Sequence, residues 1–80
     1  MTPEERASLV DYRVELAESR LRTADRAIAD EDFLSAANRL YYAALAMLSA
    51  VLIERGIQFR SHRGARRMLG LHLVAPGHLT

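Results

Sequence analysis

Apolar residues recur in steps of three and four along the first third of the chain, which is the spacing of one face of an α-helix. Thr2, Pro3 and Glu5 have the pattern of a capping box with proline in the first turn, so a first helix is predicted to begin at the third residue. Its apolar stripe is predicted to consist of Ala7, Val10, Val14, Ala17, Leu21, Ala24 and Ile28. Charged residues fill the other faces, so this helix is predicted to bury one side.

A second helix is predicted from about Asp32 to Arg55. Acidic residues at positions 30–32 favour a tight turn before it, and Gly56 after it can adopt the left-handed conformation that closes a helix. The segment is apolar on nearly every side. It is therefore predicted to be the central helix of the fold.

A third, shorter helix is predicted from a Ser61 cap to about Leu71. Its apolar face is predicted to consist of Ala65, Met68, Leu69 and His72. The tail beyond it has a Pro-Gly turn signal and no second apolar surface. We therefore expect an all-α fold, an antiparallel helical hairpin plus a short third helix, as part of an up-down helical bundle. Residues 1–80 would form a single domain without the last helices of that bundle.

Composition indicates a folded, soluble chain, because 50% of its residues are hydrophobic and 26% are charged. A chain this short buries only about 60 to 65% of its unfolded surface, so we expect help from a partner surface. The absence of cysteine excludes disulfides, thiolate metal sites and a cysteine nucleophile. The acidic start does not resemble a signal peptide, and the apolar run from Leu40 to Ile53 is shorter than a membrane span. We expect a cytoplasmic protein without a membrane partner.

The charge is strongly polarised along the chain, and every basic residue is arginine. Residues 1–54 hold six arginines against ten acidic residues, a net charge of −4, whereas residues 55–80 hold five arginines and no acid, a net charge of +5. These arginines are either a solvated face that pairs with the acidic part of this chain or of a second copy, or a patch that binds phosphate.

One polar seam crosses the apolar second helix in steps of three and four, and it consists of Ser35, Arg39, Tyr42, Ala46 and Ser49. Desolvating an unpaired guanidinium costs several kcal/mol, so Arg39 must reach a carboxylate, a set of carbonyls, a ligand phosphate or solvent. Two readings stay open. Arg39 pairs with an acid of the first helix, namely Asp11, Glu15 or Glu18, or it lines a site for a ligand or RNA.

The region from Phe33 to Gly70 resembles the core of HEPN domains (higher eukaryotes and prokaryotes nucleotide-binding), and the similarity extends over roughly residues 11–78. The family pattern S-A-x-N-R-x-Y-Y-A is matched by Ser35, Ala36, Asn38, Arg39, Tyr41, Tyr42 and Ala43. A K/R-G-I/L turn and a K/R-S/T-H-x-G segment are matched by Arg55, Gly56 and Ile57, then Arg60, Ser61, His62 and Gly64.

The resemblance implies a HEPN-like helical bundle that forms a homodimer, pairs with a minimal nucleotidyltransferase as a toxin–antitoxin couple, or does both, and handles RNA or nucleotide. Active members cleave RNA without metal, with histidine as general acid or base and arginine stabilising the phosphorane charge. Arg39 is the catalytic candidate. The expected nucleotide- or RNA-binding residues are Arg39, Asn38, Tyr42, Arg60, His62 and Arg63. No metal-ligand spacing or glycine-rich phosphate loop is present, so we expect no metal and no cofactor.

Catalysis is left undecided by the sequence. Related sequences carry a histidine seven positions after the arginine, and this position is Ala46 here. Arg55 with His62, and Arg66 or Arg67 with His72, fit the loose spacing of an arginine–histidine pair. Alternatively His62 only holds the turn after Gly56. Two other functions stay open: an inactive HEPN module that dimerises or binds a nucleotidyltransferase, and an unrelated helical hairpin for assembly.

Overall fold

A computed structural model describes residues 1–74 and Gly77, without the side chains of His62, Leu69, Leu73 and Val74. The chain folds into three α-helices: α1 (Pro3–Ala29), α2 (Phe33–Glu54) and α3 (His62–Leu69). A π-helical turn, Gly70–Val74, continues α3. Within the described residues there is no strand, and the predicted all-α fold is confirmed.

Each helix begins directly after a residue whose side chain caps it, and two of these caps, Thr2 and Ser61, were predicted. Thr2 and Glu5 form a complete capping box, in which the Glu5 amide donates to Thr2 Oγ1 at 3.1 Å and the Thr2 amide donates to Glu5 Oε1 at 3.0 Å. Asp32 Oδ1 accepts from the Ser35 amide at 3.3 Å at the start of α2. Ser61 Oγ accepts from the Gly64 amide at 3.0 Å at the start of α3. Local hydrogen bonding therefore fixes all three starts.

The helix ends use left-handed residues. Gly56 has the predicted positive φ, 72°, directly after α2. Between α1 and α2 the left-handed residue is Glu31, with a φ of 59°, although its side chain disfavours that conformation. The Asp32 amide donates to the Ala27 carbonyl at 2.8 Å, which closes the turn. The connection is therefore as short as predicted, and α1 and α2 form an antiparallel hairpin.

The central position predicted for α2 is confirmed, since α2 packs against both other helices. Most of the buried apolar side chains are alanine, and the full set is Ala17, Ala24, Ala36, Ala43, Leu45, Ala46, Ala50, Leu52 and Ala65. Such small side chains allow the helix backbones to approach closely. A second cluster forms where α3 folds back onto α2. It is centred on Leu52 and Ala65, with Leu48, Val51, Ile57, Phe59 and Met68 packed around them.

The buried face of α1 differs from the predicted stripe. Ala17 and Ala24 are buried and Val10 and Val14 are half-buried, but Ala7 is exposed, and Leu21 and Ile28 are each 45% exposed. Part of their place is taken by two half-buried arginines, Arg13 and Arg20. Their long aliphatic stems can cover apolar surface while the guanidinium reaches polar groups, and the face of α1 that contacts α2 is rotated accordingly.

The apolar face of α3 ends earlier than predicted. Ala65 is buried and Met68 is half-buried, but α3 ends at Leu69 and His72 is exposed rather than at the edge of the core. The π-helical turn from Gly70 explains the difference, because its wider hydrogen-bond spacing rotates the following side chains away from the Ala65 face.

The helix α2 is also long enough to cross a membrane. Its 22 residues include a window with a mean hydropathy of 1.4, and 39% of that window is buried inside the fold. The apolar helix is therefore longer than the run from Leu40 to Ile53, on which the expectation of a segment shorter than a membrane span was based. The core helix of a soluble protein meets the same criterion, and α2 holds the central position between α1 and α3.

Candidate functional site

The predicted site residues lie in two groups at opposite ends of the hairpin. Asn38 and Arg39 lie near the start of α2, while Arg60 and Arg63 flank the start of α3. A helix rises about 1.5 Å per residue, so the levels of Arg39 and of the end of α2 are roughly 25 Å apart. The six residues therefore do not converge on one small site.

Arg39 lies in an open groove between the end of α1 and the start of α2, which we call the Arg39 groove. Its volume is about 640 Å³. It is lined by Thr23, Arg26, Ala27, Asp30, Asp32, Leu34, Ser35, Asn38 and Arg39. Arg39 and Asn38 are both exposed, and Arg26 on α1 donates to Thr23 Oγ1 at 3.2 Å. Two guanidinium groups and one amide therefore line the same groove.

The structure does not show the ion pair between Arg39 and an acid of α1, which was one of the two readings left open by the sequence. None of the three candidate acids, Asp11, Glu15 and Glu18, lies along the Arg39 groove. Among the described residues Arg39 forms no ion pair with any of them. The antiparallel register explains this result, because it places Arg39 beside Thr23, near the end of α1 and far from those acids. The Arg39 side chain is exposed to solvent.

Tyr42 follows Arg39 on the predicted seam, but the arginine that it contacts is Arg20 of α1. Arg20 of α1 donates from Nη1 to the Tyr42 carbonyl at 3.1 Å, and its guanidinium carbon lies 5.7 Å from the centroid of the Tyr42 ring. The Tyr41 ring meets the Tyr42 ring edge-on, with centroids 5.4 Å apart. Tyr42 is half-buried by these contacts, so it anchors α1 to α2 at the edge of the Arg39 groove.

Three arginines of α1 follow one another at intervals of seven and face α2, a feature that our sequence reasoning missed. A Cβ atom added to Gly56 would lie 3.9 Å from the guanidinium nitrogens of Arg6, and Arg20 contacts Tyr42. Since seven residues are close to two helical turns, Arg13 falls at the level of Ser49. The heptad spacing of these arginines was the available signal.

Two polar atoms at that level are buried without a hydrogen bond to any described residue. They are Arg13 Nε and Ser49 Oγ. The Arg13 guanidinium carbon lies 5.9 Å from the centroid of the Tyr12 ring, so the guanidinium has an aromatic contact. The predicted polar seam of α2 therefore enters the interface with α1 at Ser49, although its first members are exposed.

The position where active relatives were expected to carry histidine lies inside the fold. Ala46 is 4% exposed and packs in the interface of α2 with the rest of the hairpin. Arg39, two turns earlier on the same seam, is exposed. An imidazole at position 46 would therefore face the core rather than the Arg39 groove.

The basic face of α3 reaches back toward the start of α2. Arg66 Nη1 donates to the Tyr41 hydroxyl at 3.0 Å. Tyr41 lies one turn after Asn38, so Asn38, Tyr41 and Arg66 follow one another along one side of α2. Arg63 and Arg67 are exposed on the same short helix. Tyr41 is two positions after Arg39, so α3 contacts α2 on a different side from the Arg39 groove.

The histidines add no second site in the described residues. The side chain of His62 and all of His78 lie outside the described part, so the role predicted for His62 stays a prediction. His72 is exposed, as are Arg66 and Arg67. Within the described residues no cluster of histidine and carboxylate groups has the arrangement of a metal site.

The comparison with known families agrees with the all-α fold. A family model described as HEPN domain matches residues 10–78. The chain therefore belongs to the HEPN family, and the resemblance inferred from the sequence is confirmed.

One curated relative extends this result. The chain is 31% identical over 70 residues to the UPF0332 protein PH1297 of Pyrococcus horikoshii, and the match covers 88% of the chain and 49% of that relative. The chain thus spans about half the length of the curated relative it matches. No solved structure matches the chain significantly.

Proposed function

We propose that this HEPN chain binds RNA or a nucleotide through the Arg39 groove, as one component of a prokaryotic toxin–antitoxin-type pair with a minimal nucleotidyltransferase in the cytoplasm. The observation that carries the proposal is the exposed guanidinium of Arg39, which has no carboxylate partner among the described residues and faces an open groove. A surface arginine in such a groove suits a phosphate, which it can hold with two parallel hydrogen bonds.

The remaining polar groups of the groove support this ligand class. Arg26 supplies a second guanidinium on the α1 wall, and Asn38 supplies an amide that can hydrogen-bond a base edge. Asp30 and Asp32 lie along the turn end of the groove, and Asp32 is engaged in capping α2. The phosphate is therefore expected on the Arg39 side of the groove, away from these carboxylates.

The basic face of α3 favours a ligand longer than one nucleotide. Arg66 is held against Tyr41, and Arg63 and Arg67 lie exposed nearby on α3. Since phosphates follow one another along a strand, these side chains can contact phosphates beyond the one at Arg39. Arg60 lines a separate cleft at the far end of α2, so this surface does not include it.

We expect binding without RNA cleavage. The proposed chemistry needs an imidazole next to Arg39, and the position two turns along the seam holds the buried Ala46. This arrangement also favours the second candidate function, an inactive module that dimerises or binds a nucleotidyltransferase. The exposed large apolar residues of α2 support that function, and they are Phe33, Leu34, Leu40, Tyr41 and Met47.

The test is binding of a fluorescent single-stranded RNA, measured by anisotropy at several salt concentrations. Arg39→Ala should weaken binding about tenfold and lower the slope of log affinity against log salt by about one. The matched control is Arg22→Ala, which removes an exposed arginine of α1 outside the Arg39 groove. If both variants bind RNA as tightly as the unchanged protein, the Arg39 groove does not bind RNA, and the inactive interaction module is favoured.

A further inference from the structure

A second cleft lies at the opposite end of the hairpin, between the start of α1, the end of α2 and the segment that leads to α3. We call it the basic cleft, and its volume is about 680 Å³. It is lined by Met1, Arg6, Leu9, Arg13, Ile53, Gly56, Ile57, Gln58, Phe59, Arg60 and Ser61. It shares no residue with the Arg39 groove.

The charge of the basic cleft has one sign. Three arginines, Arg6, Arg13 and Arg60, lie along it, and no carboxylate is present among the described residues that line it. Glu5, the acid nearest to Arg6 in the sequence, is engaged with Thr2 in the capping box and is not part of the lining. A concave surface with several guanidinium groups and no acid attracts anions.

Arg13 is the most informative of the three arginines. Its Nε is buried and forms no hydrogen bond with any described residue. A buried donor without a partner is costly, at about 1 to 3 kcal/mol, and such groups are uncommon in folded proteins. An oxyanion in the cleft could accept a hydrogen bond from the Arg13 guanidinium. A purely structural role of Arg13 would leave the unpartnered Nε unexplained.

Arg6 alone has an adequate structural explanation. Its guanidinium lies beside Gly56, where the last carbonyls of α2 carry a partial negative charge. That explanation does not extend to Arg60, which precedes the Ser61 cap of α3. Ser61, the cap of α3, also lines the cleft.

The other wall of the basic cleft is apolar. It is formed by half-buried side chains of all three parts of the cleft, namely Leu9, Ile53, Ile57 and Phe59. Phe59 offers an aromatic face, and Ile57 continues the wall after Gly56. A bare inorganic anion would leave this wall in contact with water, whereas a ligand with an apolar body would cover it.

We propose that the basic cleft is a second binding site, which takes a small organic oxyanion with an apolar ring, held through its phosphate or carboxylate by Arg13 and Arg60. Its distance from the Arg39 groove, roughly 25 Å along α2, makes it independent of the proposed RNA site. An organic phosphate and an organic carboxylate both fit this description, because each can carry an oxyanion next to an apolar ring.

The test is an NMR titration that follows the arginine Nε–Hε signals of the isotope-labelled chain. The probes are phenyl phosphate, benzoate and inorganic phosphate. We expect the Arg13 and Arg60 signals to shift with one of the two aromatic probes, and the better aromatic probe identifies the phosphate or the carboxylate source. It should bind about tenfold more tightly than inorganic phosphate, which corresponds to burial of roughly 60 Å² of apolar surface.

Two variants make the test specific. Arg60→Met changes an exposed residue, so the fold is retained, and Arg13→Met removes the guanidinium with the buried Nε. Each should weaken binding of the aromatic probe by about tenfold or more, as expected for a lost charge-assisted hydrogen bond. Arg22→Met is the control and should bind normally. The proposal is overturned if no probe shifts the signals, if inorganic phosphate binds as tightly as both aromatic probes, or if Arg60→Met binds like the unchanged protein.

Discussion

At the scale of single residues, the depth of a side chain decides what the polar seam of α2 can do. Arg39 and Ala46 are seven positions apart and lie on nearly the same helical face. Arg39 is exposed, whereas Ala46 lies under the middle of α1 and is 4% exposed. The seam is therefore exposed at its start, where we propose that a ligand binds, and packed against α1 further on.

The substitution Ala46→His should destabilise the fold and produce no RNA cleavage. An imidazole in this tightly packed interface forces side chains and backbone to shift, which costs about 1 to 3 kcal/mol. Urea unfolding and an RNA cleavage assay measure the two effects. Ser19→His, at an exposed position of α1, is the control and should change the free energy of unfolding by less than about 0.5 kcal/mol. A stable Ala46→His protein that cleaves RNA, with cleavage lost on adding Arg39→Ala, would contradict this expectation.

Ser49→Ala should raise the free energy of unfolding by about 1 kcal/mol. The Ser49 hydroxyl is buried and has no hydrogen-bond partner among the described residues, so its removal eliminates an uncompensated desolvation. The converse change one position on, Ala50→Ser, places a hydroxyl at a buried site and should lower the free energy of unfolding by about 1 to 3 kcal/mol. Urea unfolding of both variants gives the comparison. A loss of stability in Ser49→Ala would mean that the hydroxyl has a partner in solution.

At the scale of helices, the starts were predictable from sequence and the packed faces were not. Thr2, Asp32 and Ser61 cap their helices through hydrogen bonds to residues three positions away, so a short stretch of sequence contains the whole interaction. The buried face of α1 depends on what α2 presents to it. Arg20 became half-buried because Tyr42 offers a carbonyl and a ring, and no pattern within α1 alone contains that information.

The cap of α2 should make stability depend on pH. The hydrogen bonds with Ser35 lower the pKa of Asp32 below its ordinary value of 3.8. A lowered pKa in the folded state means that the cap stabilises the protein above the unfolded pKa, and that this contribution is lost as the pH falls through the folded value. The hydrogen bonds with Thr2 lower the pKa of Glu5 in the same direction.

The measurement is thermal unfolding of the unchanged protein and Asp32→Ala across the acidic range. Asp32→Ala should have the lower melting temperature at neutral pH, and the difference should shrink as the pH falls below about 4, where the carboxylate is protonated. Asp25→Ala, an exposed acid within α1, is the control and should follow the unchanged protein. A difference that stays constant down to strongly acidic pH would show that the Asp32 charge does not support the cap.

At the scale of the whole molecule, the candidate site was only partly predictable. The family motif identified Arg39 and Asn38, which share one groove, because short motifs preserve neighbours on a helix. A second segment of the family pattern included Arg60, which belongs to the basic cleft at the other end of α2. Whether two segments meet depends on the antiparallel register of the hairpin, and that register is a property of the folded chain rather than of either segment.

The folded chain leaves a regular apolar surface uncovered. Along α2 the exposed side chains Phe33, Ala37, Leu40, Ala44 and Met47 follow one another in alternating steps of four and three. We call this surface the α2 stripe. Its spacing is that of the contact face of a coiled coil, with large residues at one heptad position and alanine at the other. Small residues between large ones allow two such helices to approach closely.

We expect the α2 stripe to pair with the α2 stripe of a second copy in a symmetric homodimer. An interface of this kind is self-complementary, and it would cover the apolar residues that a chain of 80 residues cannot bury alone. Leu40→Glu with Met47→Glu should convert the dimer to a monomer, because two like charges would be buried on each side of the contact. Light scattering after size-exclusion chromatography measures the mass directly.

The control for that experiment carries the same charges elsewhere. Ala7→Glu with Ser19→Glu adds two carboxylates at exposed positions of α1 and should leave the mass of the unchanged protein. Circular dichroism separates loss of the dimer from loss of the fold, since the stripe positions are exposed in the single chain and their substitution need not disturb the hairpin. A monomer for the unchanged protein at micromolar concentration would exclude the homodimer. A dimer that survives Leu40→Glu with Met47→Glu would place the contact on another face, of which the exposed Leu21 and Ile28 of α1 are the next candidates.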